Sequence, residues 1–112
     1  MSKPLSYHYS GTKGYIASVA TSLPANPLEL VKNGWKDVSY PKAAAMGHYE
    51  LEEISTGLRI RFDKKTVGAS GFKGKDHYHI RNPNATGNRD LYLDRKGNPV
   101  RKSSVSSHIL PR

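Results

Sequence analysis

The stretch Gly74-Lys75-Asp76-His77-Tyr78-His79-Ile80-Arg81-Asn82-Pro83 gathers two histidines, a lysine and an arginine in one short segment. In extended backbone, successive side chains point to opposite faces. His77, His79 and Arg81 therefore share one face, and Tyr78 and Ile80 take the other. Imidazole titrates at about pH 6.5 when unperturbed, so such a pair can hold one proton acceptor and one proton donor near neutrality. A guanidinium beside them matches a phosphate through two parallel hydrogen bonds. These residue types suit metal-free cleavage of RNA. That reaction needs a base for the ribose 2′-hydroxyl, an acid for the 5′-leaving oxygen and a cation for the charged phosphorane.

His77, His79 and His108 are the candidates for the two proton-transfer roles, and Arg81, Lys75 and Arg61 for the cation. Ser107 and Tyr92 can hydrogen-bond a phosphate or orient an imidazole, which completes a candidate catalytic set of His77, His79, Arg81, His108, Ser107 and Tyr92. Lys75, Arg61, Arg59, Asn82 and Tyr78 are candidate substrate contacts. Each has a plainer reading. His-x-His also occurs on polar sheet faces, Arg59 and Arg61 alternate as a solvent-facing row does, Tyr92 can pack under a helix, and His108 can be a tail residue. His8 and His48 lie outside the dense motif and read as structural or incidental.

Lysine and arginine number 18 against 9 acidic residues, a formal charge of +9. Such an excess draws polyanions by long-range, salt-dependent attraction, and nucleic acid is the leading partner class. Tyr7, Tyr9, Tyr15, Tyr40 and Tyr78 could stack on bases, so a non-catalytic nucleic-acid-binding module is an alternative. The chain has no cysteine, which excludes disulfides and thiolate metal sites. The acidic residues are scattered. A divalent ion held by His77 and His79 with Asp76 or His108 would make a metal-dependent deoxyribonuclease, the main enzymatic alternative. The expectation is no metal and no cofactor. The glycines Gly68, Gly71 and Gly74 make no phosphate loop, and no nucleophile-elbow motif is present. The first residues lack the apolar core of a signal peptide, and no stretch approaches membrane-spanning length, so no membrane partner is expected.

Positioning these groups requires a scaffold, and 112 residues suit one domain, 1–112. Residues 1–26 form an arm whose apolar piece, Tyr15 to Ala20, fits a short helix or a strand. Residues 27–47 read as helical. Asn26-Pro27 caps a helix to about Asn33 with Leu28, Leu30, Val31 and Trp35 on one face, Gly34 ends it, and Lys42 to Met46 forms a second short helix. Residues 48–110 read as sheet and carry the catalytic strand. Tyr49 to Ile54 and Leu58 to Asp63 flank a Ser-Thr-Gly turn. Leu58, Ile60 and Phe62 face the core, and Arg59, Arg61 and Asp63 face away. Asp90 to Asp94 adds a further strand. Helices followed by an antiparallel sheet make an α+β fold.

Several segments also carry a family likeness: Gly34-Trp35-Lys36-Asp37-Val38, Thr56-Gly57-Leu58-Arg59-Ile60-Arg61-Phe62-Asp63, Gly71 to His79, and Tyr92 to Val100 with Ser107-His108-Ile109. Together, roughly from residue 27 to 110, they resemble the C-terminal toxin domains of bacterial polymorphic toxins. The order of elements more loosely resembles the ribonuclease superfamily of barnase, EndoU, colicin ribonucleases and RelE. The resemblance implies the C-terminal part of a larger secreted carrier, delivered into the cytoplasm of target bacteria. It implies an endoribonuclease acting on tRNA, rRNA or mRNA without a metal, and neutralised by an acidic cognate immunity protein.

Overall fold

The computed structural model describes residues 13–112. The elements run α1 (Lys13–Ser22), a 3₁₀ helix (Pro27–Asn33), β1 (Trp35–Asp37), α2 (Pro41–Ala45), β2 (Tyr49–Glu53), β3 (Arg59–Asp63), a 3₁₀ turn (Gly71–Gly74), β4 (His77–Arg81), β5 (Tyr92–Leu93), β6 (Pro99–Val100) and a last 3₁₀ turn (Val105–Ser107). The strands form one six-stranded antiparallel sheet in chain order, β1 to β6. The fold is α+β. Tyr7, His8 and Tyr9 lie outside the described residues.

The apolar phase of each strand decides which face is covered. Leu51 on β2, Ile60 and Phe62 on β3, Tyr78 and Ile80 on β4, and Leu93 on β5 all point to one side and are buried, together with Leu58 just before β3. Ile16, Val19 and Ala20 of α1 and Leu23 after it join them in the same core. The Tyr15 to Ala20 segment is therefore helical. Gly97, at φ 85° in the turn between β5 and β6, faces α1 so closely that a Cβ there would lie 3.1 Å from Lys13 Cα.

The helix expected from Pro27 is a 3₁₀ helix, capped by the Asn26 side chain, which accepts from Leu28 N at 3.1 Å, and closed at Gly34 with φ 93°. Three residues per turn changes its buried face. Pro27 and Leu30 are buried, whereas Leu28 and Val31 are exposed and Trp35 packs from β1. The stretch 27–47 thus contains a strand as well as helices. Among the described residues no helix is long and apolar enough to cross a membrane.

Candidate active site

The sheet face away from α1 carries the polar row. On β3 and β4 the antiparallel register sets Arg61 opposite His79 and Asp63 opposite His77, and directly opposed side chains project to the same face. β5 adds Tyr92, whose ring stacks on His79 with centroids 4.5 Å apart. The third imidazole comes from the tail. Tyr78 N donates to Ile109 O at 2.8 Å and Ile109 N returns to Tyr78 O at 2.9 Å, a β-bridge that extends the sheet beside β4. Ile109 is fully buried on the core side, and His108, one residue earlier, falls on the polar side. The ring centroids of His77, His79 and His108 lie 4.7–5.0 Å apart.

Backbone carbonyls fix the orientation of the rings. Nδ1 of His77 lies 2.8 Å from Lys75 O, Nδ1 of His79 2.9 Å from Ser107 O, and Nδ1 of His108 3.1 Å from Ser104 O. A carbonyl only accepts, so each Nδ1 carries the proton, and each neutral ring is left with Nε2 as its free lone pair. Asp63 Oδ2 lies 3.6 Å from His77 Nε2 and 3.7 Å from His79 Nε2. A lone pair facing a carboxylate oxygen is satisfied by a shared proton, a cation or water. Asp63 also accepts from Arg61 Nε at 3.0 Å and has His48 Nδ1 3.3 Å away, outside hydrogen-bond alignment.

Burial, reinforced by the neighbouring His77 and His108, pushes the pKa of His79 down to about 4, against smaller opposing effects of Asp63 and the Ser107 carbonyl. His79 is therefore neutral at pH 7. Burial opposes the charge of Arg61, but Asp63 and Tyr92 outweigh it and hold its pKa above the ordinary guanidinium value. These groups line an open cavity of about 500 Å³, together with Lys64, Lys73 and Lys102, and among the described residues Asp63 is its one carboxylate wall. Phe72 stacks on His108, with ring centroids 4.6 Å apart. The loop bearing Phe72 and Lys73 is tight: Thr66 N donates to Lys73 O at 2.8 Å, and Lys65 N donates to Asp76 at 2.8 Å.

The structure brings together His77, His79, His108, Tyr92 and Arg61 from the sequence-derived set. Ser107 is at the site as well, but its carbonyl holds His79 while its hydroxyl donates to Ser104 O at 2.7 Å. Other expectations are corrected. Arg81 shares the face of His77 and His79 yet is not a cavity wall, because Glu50 accepts from its Nη2 at 2.9 Å. Arg59 is paired to Glu52 at 3.0 Å, and the exposed Lys75 lines no part of the cavity, contributing its carbonyl instead. Tyr78 is fully buried, its hydroxyl donating to Pro24 O at 2.6 Å, so it has no surface on which a base could stack. Asn82 is buried and spends its side chain on Asp90 O and Asn84 N. Asp76, the alternative to His108 as a ligand beside His77 and His79, instead accepts from Lys65 N in the loop and is not part of the imidazole group.

The sequence reading missed Asp63 and set His48 aside, and both line the cavity. The signal for Asp63 was its phase with Arg61 along β3. It becomes informative only once β3 is paired to β4. A metal ion is the other group this arrangement could hold, since one nitrogen from each of His77, His79 and His108 lies within 4.8 Å of the others. Zinc binds imidazole at about 2.0–2.1 Å, so the rings would have to draw inward around it. Their Nδ1 contacts to carbonyls are of the type that supports ligating histidines. No protein-family model, curated protein or solved structure matches the chain.

Proposed function

We propose that this domain is an endoribonuclease that cleaves RNA by histidine acid–base transesterification, with no metal in the chemical step. The observation that supports this reading is the convergence of His77, His79 and His108 with Asp63 and Arg61 in a basic cavity. His79, neutral and with Nε2 free, takes the proton of the ribose 2′-hydroxyl. The 2′-oxygen bonds to phosphorus, the bond from phosphorus to the 5′-oxygen breaks, and the departing oxygen takes a proton from the imidazolium of His77 or His108. The products are a 2′,3′-cyclic phosphate and a 5′-hydroxyl. Arg61 and the lysines at the cavity wall stabilise the phosphorane.

The same reading takes the domain as the toxic end of a larger carrier, delivered into target cells, of the barnase, EndoU, colicin and RelE type, and plugged by an acidic immunity protein at the basic cavity. The three imidazoles beside a carboxylate specifically favour a second reading, a metal-dependent deoxyribonuclease. Incubation with RNA and with DNA in excess chelator, followed by mapping of the ends, decides between them. The ribonuclease reading expects RNA fragments ending in cyclic phosphate. Activity that vanishes in chelator and returns with a divalent ion supports the second reading.

A further inference from the structure

A second basic hollow adjoins the cavity. It has a volume of about 330 Å³ and is lined by Asn88, Arg89, Arg101, Lys102 and Ser103, and it shares Lys102 and Ser103 with the histidine cavity. Two loops build it. Lys102 N donates to Asn88 O at 2.8 Å, which pins the segment after β6 onto the loop before β5. Arg89, Arg101 and Lys102 are exposed, and among the described residues no carboxylate lies within ion-pair distance of them. The nearest acid in sequence, Asp90, is turned to other work. Its two oxygens accept from Thr86 N, Thr86 Oγ1 and Gly87 N at 2.9–3.1 Å.

Three cations without acidic partners, beside a cavity walled by Arg61, Lys64 and Lys73, form a continuous positive track. A single phosphate in the cavity would not need it. We infer that Arg89 and Arg101 form a subsite for backbone phosphates of a single-stranded RNA that runs on past the imidazoles, so that the substrate is a strand several nucleotides long. This rests on the ribonuclease reading for the identity of the strand. The chemistry of the hollow fits a nucleic-acid backbone, because exposed guanidinium groups bind phosphate oxygens in pairs and such contacts carry no sequence information. Lys102, common to both hollows, carries the track from one to the other.

The test is binding of a 2′-O-methyl RNA octanucleotide and of the matching dinucleotide to the whole chain, by fluorescence anisotropy across a salt series. The modified strand cannot be cut, so the answer does not depend on whether the cavity cleaves RNA. R89A/R101A is compared with K32A/K36A, which removes the same charge from exposed positions on the 3₁₀ helix and on β1, the opposite edge strand of the sheet. Each single-strand phosphate contact contributes about 0.7 to the slope of log affinity against log salt. R89A/R101A should therefore lower the octanucleotide slope by about 1.4 and its affinity by about tenfold. The advantage of octanucleotide over dinucleotide should shrink, each single variant should give about half the slope change, and K32A/K36A should leave the slope alone. An unchanged slope in R89A/R101A, or equal losses in both pairs, would overturn the subsite.

Discussion

Lowering the pH should expose the cost of burying His79. In the folded domain its pKa is depressed from 6.5 to about 4, because burial and two neighbouring imidazoles disfavour the charged ring, and the residue is only 6% exposed. In the unfolded chain it titrates near its ordinary value. Between those two pH values the unfolded state binds more protons, so stability falls as pH falls through this window. Above pH 6.5 the effect is absent, and below about pH 4 it is complete. A displacement of that size corresponds to up to about 3 kcal/mol. His79→Asn removes the titration and keeps an amide able to donate to Ser107 O, the bond that His79 Nδ1 makes at 2.9 Å. Urea unfolding of both proteins in chelator at pH 7.5, 6, 5 and 4.5 gives the difference in unfolding free energy at each pH. Other groups titrate in both and largely cancel. The native protein should lose about 2–3 kcal/mol relative to the variant between pH 7.5 and 4.5. A difference that stays constant with pH would refute the claim that the ring is held neutral by its surroundings.

Asp63→Asn removes the one carboxylate facing the imidazoles and should lower the rate of RNA cleavage about a hundredfold or more, with a cooperative unfolding transition retained. Unchanged kinetics would show that cleavage does not depend on the carboxylate beside the imidazoles. Gly74→Ala places a Cβ 2.3 Å from Ala69 O, so the loop carrying Phe72 must shift. A loss of about 1–3 kcal/mol in denaturant melts and weaker cleavage are expected, and a melt matching the native protein would show that the loop yields freely. Arg81→Ala should leave kcat unchanged and lower stability by no more than about 1 kcal/mol, since it breaks a half-exposed pair with Glu50. A large fall in kcat would return Arg81 to the site.

The facing of β4 was legible in the sequence because alternation is a local property. His77, His79 and Arg81 share a face wherever that segment is extended, and Leu58, Ile60 and Phe62 mark the opposite side of β3 in the same way. The cap at Asn26 and the stop at Gly34 are equally local, although the apolar spacing between them could not separate a 3₁₀ helix from an α-helix. Alternation also put Arg59, Arg61 and Asp63 on the polar face without saying which of them meets a histidine. The register of β3 on β4 decides that, and it sets Asp63 against His77 and Arg61 against His79. Arg81 lies on the expected face, but its partner there is Glu50, which sits two strands away on β2 and could not be read from the local pattern. Likewise, nothing local brings His108 to His77. Its place depends on the bridge between Ile109 and Tyr78, which exists only because Ile109 has a core to enter. Residue type and phase along the chain set which chemistry was available. Pairing across strands, whose partners are distant in sequence and chosen by burial of the other face, set which groups share the cavity.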